Sequence, residues 1–285
     1  MEKKYVLYNP HASNGRGEEQ AKALTGKLDG EVVFQDITTI GTYAEFFADM
    51  SENDVVILCG GDGTINRFVN DTKDIDIRNS IYYYPAGSGN DFAHDLEATA
   101  ETSPICIDEY IKDLPTVTVN GKKSYFINGV GYGVDGYCCE EGDRLRATTD
   151  KKIDYTGIAI KGVLFKYKPT NATVIVDGVK HEFKKVWIAP TMNGRFYGGG
   201  MMPTPDQDRR NADGTLSVMV FAGTGRISTL VIFPSIFKGE HVKHTKAVTV
   251  LTGKDITVKF DAPRALQIDG ETVTGVTEYR ATANK

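Results

Sequence analysis

Apolar runs alternate with amphipathic stretches through the first part of the chain. KYVLYNP (4–10) is an apolar run stopped by Asn-Pro. Residues 17–28 (GEEQAKALTGKL) have helical periodicity, with acidic residues in the first turn where the helix dipole favours them. EVVFQDI (31–37) predicts a strand and TYAEFFADM (42–50) a helix. DVVILCGG (54–61) is almost continuously apolar and ends in glycines, the pattern of a strand covered on both faces. A helix over 64–71 (TINRFVND) and a strand over 81–85 (IYYYP) follow. Strands alternating with helices and ending in glycine loops predict a parallel sheet flanked by helices, with ligands bound beyond the carboxyl ends of the strands.

The period changes after Pro115. TVTVNGKKSYFINGVGYG (116–133) alternates around Asn-Gly, and ATVIVDGVKHEFKKVWIAP (172–190) around Asp-Gly, both hairpin signals. TLSVMVFAG, KAVTVLTGKDITVKF and ALQIDGETV continue the style. Helices are expected near 150–167, with Ile153, Ile158, Val163 and Phe165 on an apolar side, and near 226–238, where Phe233, Ile236 and Phe237 read as core. The boundary falls at KDLPTV (112–117). The predicted fold is therefore an α/β N-terminal domain (1–114) with a parallel sheet and flanking helices, plus a mainly antiparallel β-sandwich C-terminal domain (115–285).

Composition narrows the partners. Lys and Arg number 33 against 38 Asp and Glu, a formal charge of −5 over 285 residues, so no nucleic-acid partner is expected. Cys59, Cys106, Cys138 and Cys139 form no CxxC pair, which argues against a disulfide framework or zinc ribbon. No apolar stretch reaches about 18 residues, and MEKKYVLYNP lacks the apolar core of a signal peptide. A cytoplasmic protein is expected, with peripheral contact at the inner face of the membrane left open. His241 and His244 read as a solvated loop rather than a metal pair.

Three loops carry the chemistry. Gly60-Gly61-Asp62-Gly63-Thr64 lies between the buried strand and a helix. Its glycines let the backbone approach a polyphosphate, and the helix start presents N–H groups. Asp62 is repulsive to phosphate unless Mg²⁺ lies nearby or the carboxylate orders the loop. Pro85-Ala86-Gly87-Ser88-Gly89-Asn90-Asp91-Phe92 follows the next strand. Asn9-Pro10-His11-Ala12-Ser13-Asn14-Gly15-Arg16-Gly17 follows the first; it is neither a Walker A loop nor a dinucleotide fingerprint.

Together these loops resemble the diacylglycerol kinase catalytic-domain family, which includes bacterial lipid kinases and sphingosine and ceramide kinases. The family pattern runs NPxxG, GGDGT and PxGTxND. The C-terminal half agrees: residues 126–135 (FINGVGYGVD) look like FxNxxxxGxD, Gly198–Met201 through Asp213–Leu216 like GGGM…DGxLD, and Asp269-Gly270-Glu271 like DGE. The resemblance spans about residues 5 to 275.

The resemblance implies an NAD-kinase-like N-terminal domain and a β-rich domain, with ATP and lipid meeting in the cleft between. It implies an ATP- and Mg²⁺-dependent kinase acting on a diacylglycerol-like hydroxyl. By analogy the nucleotide lies against Asn9, Pro10, His11, Ala12, Ser13, Thr38, Gly60, Gly61, Asp62, Gly63, Thr64, Ser88, Asn90 and Asp91, with Asp62 and Asp91 in a water-linked acidic network. A Mg²⁺ site is implied at Arg210, Asp213 and Thr215, where only Asp213 offers a carboxylate. The DGE element is implied to supply the base. Ser88 stands where Thr is usual and Arg67 where Glu is common.

A lipid hydroxyl is a poor nucleophile, and a carboxylate within reach can take its proton as it attacks the γ-phosphorus. If the segment is extended, Asp269 and Glu271 point to one side; if the Gly270 turn is tight they diverge and only one can be the base. Two other readings stand beside this one: a nucleotide-binding regulator without catalysis, and an NAD kinase, whose Asn-Glu and Thr-Gly-Ser elements are missing here. Basic residues gather at Arg144, Arg146, Lys151, Lys152, Lys161, Lys166 and Lys168. They form either a solvated helix face or a patch for anionic headgroups. The acceptor lipid, ATP against GTP, and homodimerisation are not encoded in any motif.

Overall fold

In the computed structural model, which describes residues 2–87, 89–99, 101, 103–149 and 153–284, the apolar run at 54–61 is the central strand of a five-stranded sheet. The sheet comprises β1 (Lys3–Tyr8), β2 (Glu31–Asp36), β3 (Val55–Gly60), β4 (Ile81–Pro85) and β5 (Ile105–Cys106), ordered β2-β1-β3-β4-β5. Its helices are α1 (Ala12–Gly15), α2 (Gly17–Lys22), α3 (Tyr43–Ala48), α4 (Asp62–Asp71), α5 (Asp91–Asp95) and α6 (Asp108–Ile111). Four strands are parallel, whereas β5 pairs antiparallel with β4, so the sheet is mixed rather than purely parallel.

Both faces of β3 are covered, as its composition predicts. Ile57 and Cys59 pack with Val6, Tyr8, Ala21 and Leu24. Val56 and Leu58, on the other face, are also buried, and Tyr43, Phe47 and Phe68 of α3 and α4 form an aromatic cluster in which Phe68 meets the other two edge to face and Tyr43 stacks on Phe47. The helix predicted over 17–28 stops at Lys22. The Thr25 hydroxyl donates to the Lys22 carbonyl, and single turns at Ala21–Leu24 and Leu24–Lys27 replace the helical ladder. In contrast, α4 begins at Asp62, two residues before the predicted start, because Gly61 stays extended and the chain enters the helix directly from the strand.

Contacts divide the chain into two units, Met1–Asp113 and Leu114–Lys285. The second contains β6 (Thr116–Val119), β7 (Lys122–Tyr125), β8 (Gly129–Tyr132), α7 (Val134–Arg146), α8 (Tyr155–Lys161), β9 (Thr170–Val176), β10 (Val179–Val186), β11 (Thr191–Met192), β12 (Leu216–Phe221), α9 (Arg226–Ile232), β13 (Val248–Gly253), β14 (Asp255–Ile268) and β15 (Glu271–Thr282). All ten strands join one antiparallel sheet. The long strand β14 makes this possible. It pairs β9 over Ile256–Phe260 and β8 over Leu266–Ile268, and its register with β15 shifts between Lys259 and Leu266. The resulting layers enclose a core including Val117, Val174, Val218, Val258, Leu266 and Tyr279. Tyr132 stacks on Phe260 with ring centres 3.9 Å apart inside it.

Three tight turns share one backbone. Asn120-Gly121, Asp177-Gly178 and Asp269-Gly270 all have both residues at positive φ, between 47° and 95°, the geometry of two-residue hairpins. Helix α7 was not evident from hydrophobic pattern, because Gly136, Gly142 and paired cysteines blur its apolar stripe. The glycines serve packing instead. A Cβ on Gly136 would fall 2.0 Å from the Ala265 carbonyl, and one on Gly142 2.7 Å from the Tyr155 ring. The helix expected near 150–167 is α8 followed by a π-helical turn, Gly162–Lys166. Ile236 is core as expected, whereas Phe237 is half exposed. His241 is buried rather than solvated, with Nε2 2.8 Å from the Pro203 carbonyl. Among the described residues, no helix is long and apolar enough to cross a membrane.

Candidate active site

Parallel pairing brings the connections after β1, β2, β3 and β4 to one edge of the first sheet. After β3 and β4, Gly60 and Gly87 are required by packing. A Cβ on Gly60 would fall 2.1 Å from the Thr64 hydroxyl, and one on Gly87 2.4 Å from the Cα of Gly61. The loops after β3 and β4 therefore touch backbone to backbone. Asp62 locks them. Its carboxylate accepts the N–H of Asp91 at 2.9 Å and of Phe92 at 2.8 Å, capping α5 from a different element. Asn90, at φ 50°, does not cap α5. Its Oδ1 accepts the Gly87 N–H at 2.9 Å and its Nδ2 donates to the Gly87 carbonyl at 2.8 Å. Tyr83 donates to the same Oδ1 at 3.3 Å, and burial, with Asp62 and Asp91 nearby, keeps its phenol well above the ordinary range and hence neutral. Asp91 is buried.

The remaining nucleotide candidates fall on the same edge. The Asn9 Oδ1 accepts the His11 N–H at 2.9 Å, and Ala12 donates its N–H to the Asn9 carbonyl, closing a turn over Pro10. A Cβ on Gly17 would lie 1.9 Å from that carbonyl, so Gly17 is the glycine this loop needs for close approach. Thr38 is exposed just after β2, its hydroxyl and N–H both donated to Asp36 Oδ1. Ser88 and the Ser13 side chain lie outside the described residues.

In the second unit the Asp269-Gly270 turn separates its two carboxylates. Asp269 accepts three backbone N–H groups, from Ile127 at 2.6 Å, Asn128 at 2.8 Å and Gly129 at 3.0 Å. Gln267 Oε1 accepts the Gly270 N–H at 2.7 Å and fixes the turn. Glu271 starts β15 and is exposed. It lies on the side of α7, where burial and the carboxylates of Asp135, Asp143 and Glu271 push the Cys139 thiol up to about 12. Arg209 and Asn193 support the segment that holds Asp269: Arg209 donates to the Ile127 carbonyl and to Asn128 Oδ1, and Asn193 to the Ile127 carbonyl. Neither residue was singled out from sequence, and only the resemblance to FxN, through Asn128, pointed at this segment.

Asp135 ends that motif. It is buried, Tyr197 donates to its Oδ2 at 3.0 Å, and its buried Oδ1 has no hydrogen-bond partner among the described residues. Burial pushes its carboxyl up to about 6.

Arg210, Asp213 and Thr215 share one turn. Asn211 closes it: its Oδ1 accepts the Thr215 N–H at 2.8 Å and hydroxyl at 3.2 Å, and its Nδ2 donates to the Thr215 carbonyl at 3.0 Å. Gln207 donates to that carbonyl too, at 2.9 Å. With Thr215 so committed, Asp213 is the one carboxylate the three residues offer, and they do not by themselves fit the oxygen shell of a divalent cation. Among the described residues, no three His, Cys, Asp or Glu side chains cluster to hold a metal.

A mostly parallel α/β unit followed by an antiparallel β unit is the two-part kinase architecture expected from the sequence. Residues 3–117 match the diacylglycerol kinase catalytic domain and residues 128–282 the YegS C-terminal NAD kinase beta sandwich-like domain. The chain belongs to the diacylglycerol kinase catalytic-domain family. It is 28% identical over 218 residues to a diacylglycerol kinase of Mycobacterium tuberculosis, covering 74% of this chain and 67% of that one. It is 25% identical over 306 residues to the Bacillus subtilis protein YtlR, covering 97% and 95% of the two chains. A Bacillus anthracis diacylglycerol kinase crystal structure shares the fold, with a TM-score of 0.60 at 18% identity over 99% of this chain and 94% of that one.

Proposed function

We propose that this chain transfers the γ-phosphate of ATP, taken as its Mg²⁺ complex, to the hydroxyl of a diacylglycerol-like lipid. The observation that carries the reading is the Asp62 bridge. It makes the loops after β3 and β4 one rigid glycine surface at the carboxyl edge of the sheet. Because Asp62 occupies the first N–H groups of α5, the phosphates are met by the glycine backbone around Gly61, Gly63 and Gly87 and by the start of α4. Asp62 thus acts by ordering the loops. Mg²⁺ bound to the nucleotide would offset its charge.

On the acceptor side Glu271 is the general base. Asp269 is tied to the backbone by three N–H groups, two on Oδ1 and one on Oδ2, whereas Glu271 is exposed at the same turn. The lipid hydroxyl gives its proton to Glu271 as its oxygen bonds to the γ-phosphorus, and the bond from that phosphorus to the bridging oxygen breaks, leaving ADP. Asp269 holds the turn that aims Glu271. The test is transfer of label from γ-labelled ATP to a panel of lipid acceptors. Labelled lipid from the wild type and none from Glu271→Gln supports the reading; no labelled lipid across the panel overturns it.

A further inference from the structure

The backbone around Glu271 is held on both sides, and both holds lead to α7. On one side stands Gly270, whose N–H is accepted by Gln267 Oε1 at 2.7 Å. Gln267 is buried in β14. A Cβ on Gly131 of β8 would fall 2.5 Å from Gln267 Nε2 and 1.8 Å from Asp135 Oδ2, so the Gln267 amide and a carboxyl of α7 crowd the same glycine. A carboxamide has one donor end and one acceptor end. With the donor end toward the Asp135 carboxyl, the acceptor end is the one that meets Gly270.

On the other side stands Thr272, the cross-strand partner of Gln267. Its hydroxyl donates to Asp143 Oδ2 of α7 at 2.7 Å. Asp143 is fixed in turn by Arg146, which donates to its Oδ1 at 2.9 Å and to the Tyr155 hydroxyl at the start of α8. Arg146 thus has a structural partner within the basic stretch, of which Lys151 and Lys152 lie outside the described residues. Helix α7 can lie this close because Gly136 has no side chain: a Cβ there would fall 2.0 Å from the Ala265 carbonyl of β14. Side chains alternate along a strand, so anchoring residues 270 and 272 sets the direction of residue 271. Glu271 is exposed and has no packed surroundings to aim it; the backbone beneath it does so.

We propose that Gln267 and Asp143 are positioning residues for phosphoryl transfer, with α7 as the platform from which they set Glu271. Gln267 acts through Gly270 and Asp143 through Thr272. A misplacement of about 1 Å at a catalytic group can cost roughly a hundredfold in rate, and this is the lever the two residues hold. The inference rests on the reading of Glu271 as the general base.

The test is a set of double-mutant cycles in the label-transfer assay, on the intact chain with diacylglycerol in mixed micelles. Thr272→Val removes the hydroxyl that reaches Asp143 and changes no charge. It is expected to lower kcat about tenfold or more with KM for ATP unchanged, and Thr272→Ser, which keeps the hydroxyl, to restore the rate. Asp143→Ala lowers kcat as much, and adding it to Thr272→Val lowers kcat no further. Gln267→Met lowers kcat likewise, with its melting temperature read beside the rate; should it unfold, the Thr272 and Asp143 variants decide alone. In the Glu271→Gln background these losses vanish, because no base is left to aim. Losses of the same factor in both backgrounds overturn the inference, as does a wild-type kcat in Thr272→Val or in a folded Gln267→Met. In either case an inactive Glu271→Gln leaves the base reading standing. A Glu271→Gln protein that turns over at the wild-type rate sinks the base reading and the inference with it, and so does wild type that labels no lipid.

Discussion

The Asp62 carboxylate accepts the Phe92 N–H at 2.8 Å, across 30 residues of sequence, and so the glycine loop after β3 caps the helix that follows the loop after β4. A charged cap that fills two N–H groups contributes on the order of 1–3 kcal/mol. Asp62→Ala is expected to lower stability by about that amount in urea unfolding and to raise KM for ATP. Asp62→Asn, which keeps one acceptor oxygen, falls between. An Asp62→Ala protein as stable as wild type would show that the bridge does not hold the loops.

The contact between Gly61 and Gly87 leaves no room for a side chain. A Cβ on Gly87 meets backbone at 2.4 Å, which no rotamer change relieves. Gly87→Ala is expected to cost about 1–3 kcal/mol and to weaken ATP binding about tenfold or more. Gly26→Ala is the control, since Gly26 lies outside these loops and nothing lies within 4 Å of its added Cβ. Calorimetric titration with a non-hydrolysable ATP analogue on both variants checks the pair, and equal affinities would contradict a shared loop surface.

At the hairpin the two carboxylates are expected to fail differently. Glu271→Gln leaves the melting temperature within a degree or so and lowers kcat by about 10²–10⁴. Asp269→Asn places an amide N–H against backbone donors, destabilising by about 1–3 kcal/mol and lowering kcat only through the displaced turn. Thermal melts beside steady-state rates separate them. The reverse pattern, an intact but inactive Asp269→Asn, would exchange the roles.

Asp135 gives a pH signature. Its carboxyl is raised from 3.8 to about 6 by burial, so the folded protein holds this proton more tightly than the unfolded chain does. The stabilisation is full below about pH 4 and is lost as pH rises through 6, a change on the order of 3 kcal/mol. Asp135→Asn removes the titration. Its stability relative to wild type is expected to rise between pH 4 and pH 7 by about that much. A constant difference in chemical unfolding across that range would show that Asp135 stays charged.

Much of this architecture is legible in the sequence because the local and global signals agree. The run to Cys59 is a strand buried on both faces, and Asn120-Gly121, Asp177-Gly178 and Asp269-Gly270 are the turns their residue types predict. What stayed hidden depends on contacts distant in sequence. The antiparallel β5 follows from pairing at Tyr82–Cys106, not from its own two residues. Helix α7 looks like a poor helix because Gly136 is chosen for Ala265. At the candidate site, sequence allowed Asp62 either a nearby metal or a loop to order, and only Phe92, brought close by the sheet, favours the second. The proposal's preference for Glu271 over Asp269 likewise rests on three N–H groups about 140 residues away.

The central claim is phosphoryl transfer to a lipid with Glu271 as base. The most direct measurement is the initial rate of label transfer from γ-labelled ATP to diacylglycerol in mixed micelles, for wild type and Glu271→Gln, with ATP binding measured on both. The account predicts labelled lipid from wild type, a loss of at least about a hundredfold in the variant, and equal ATP affinity. Wild-type protein that binds ATP yet labels no lipid, or a variant that turns over at the wild-type rate, would contradict it.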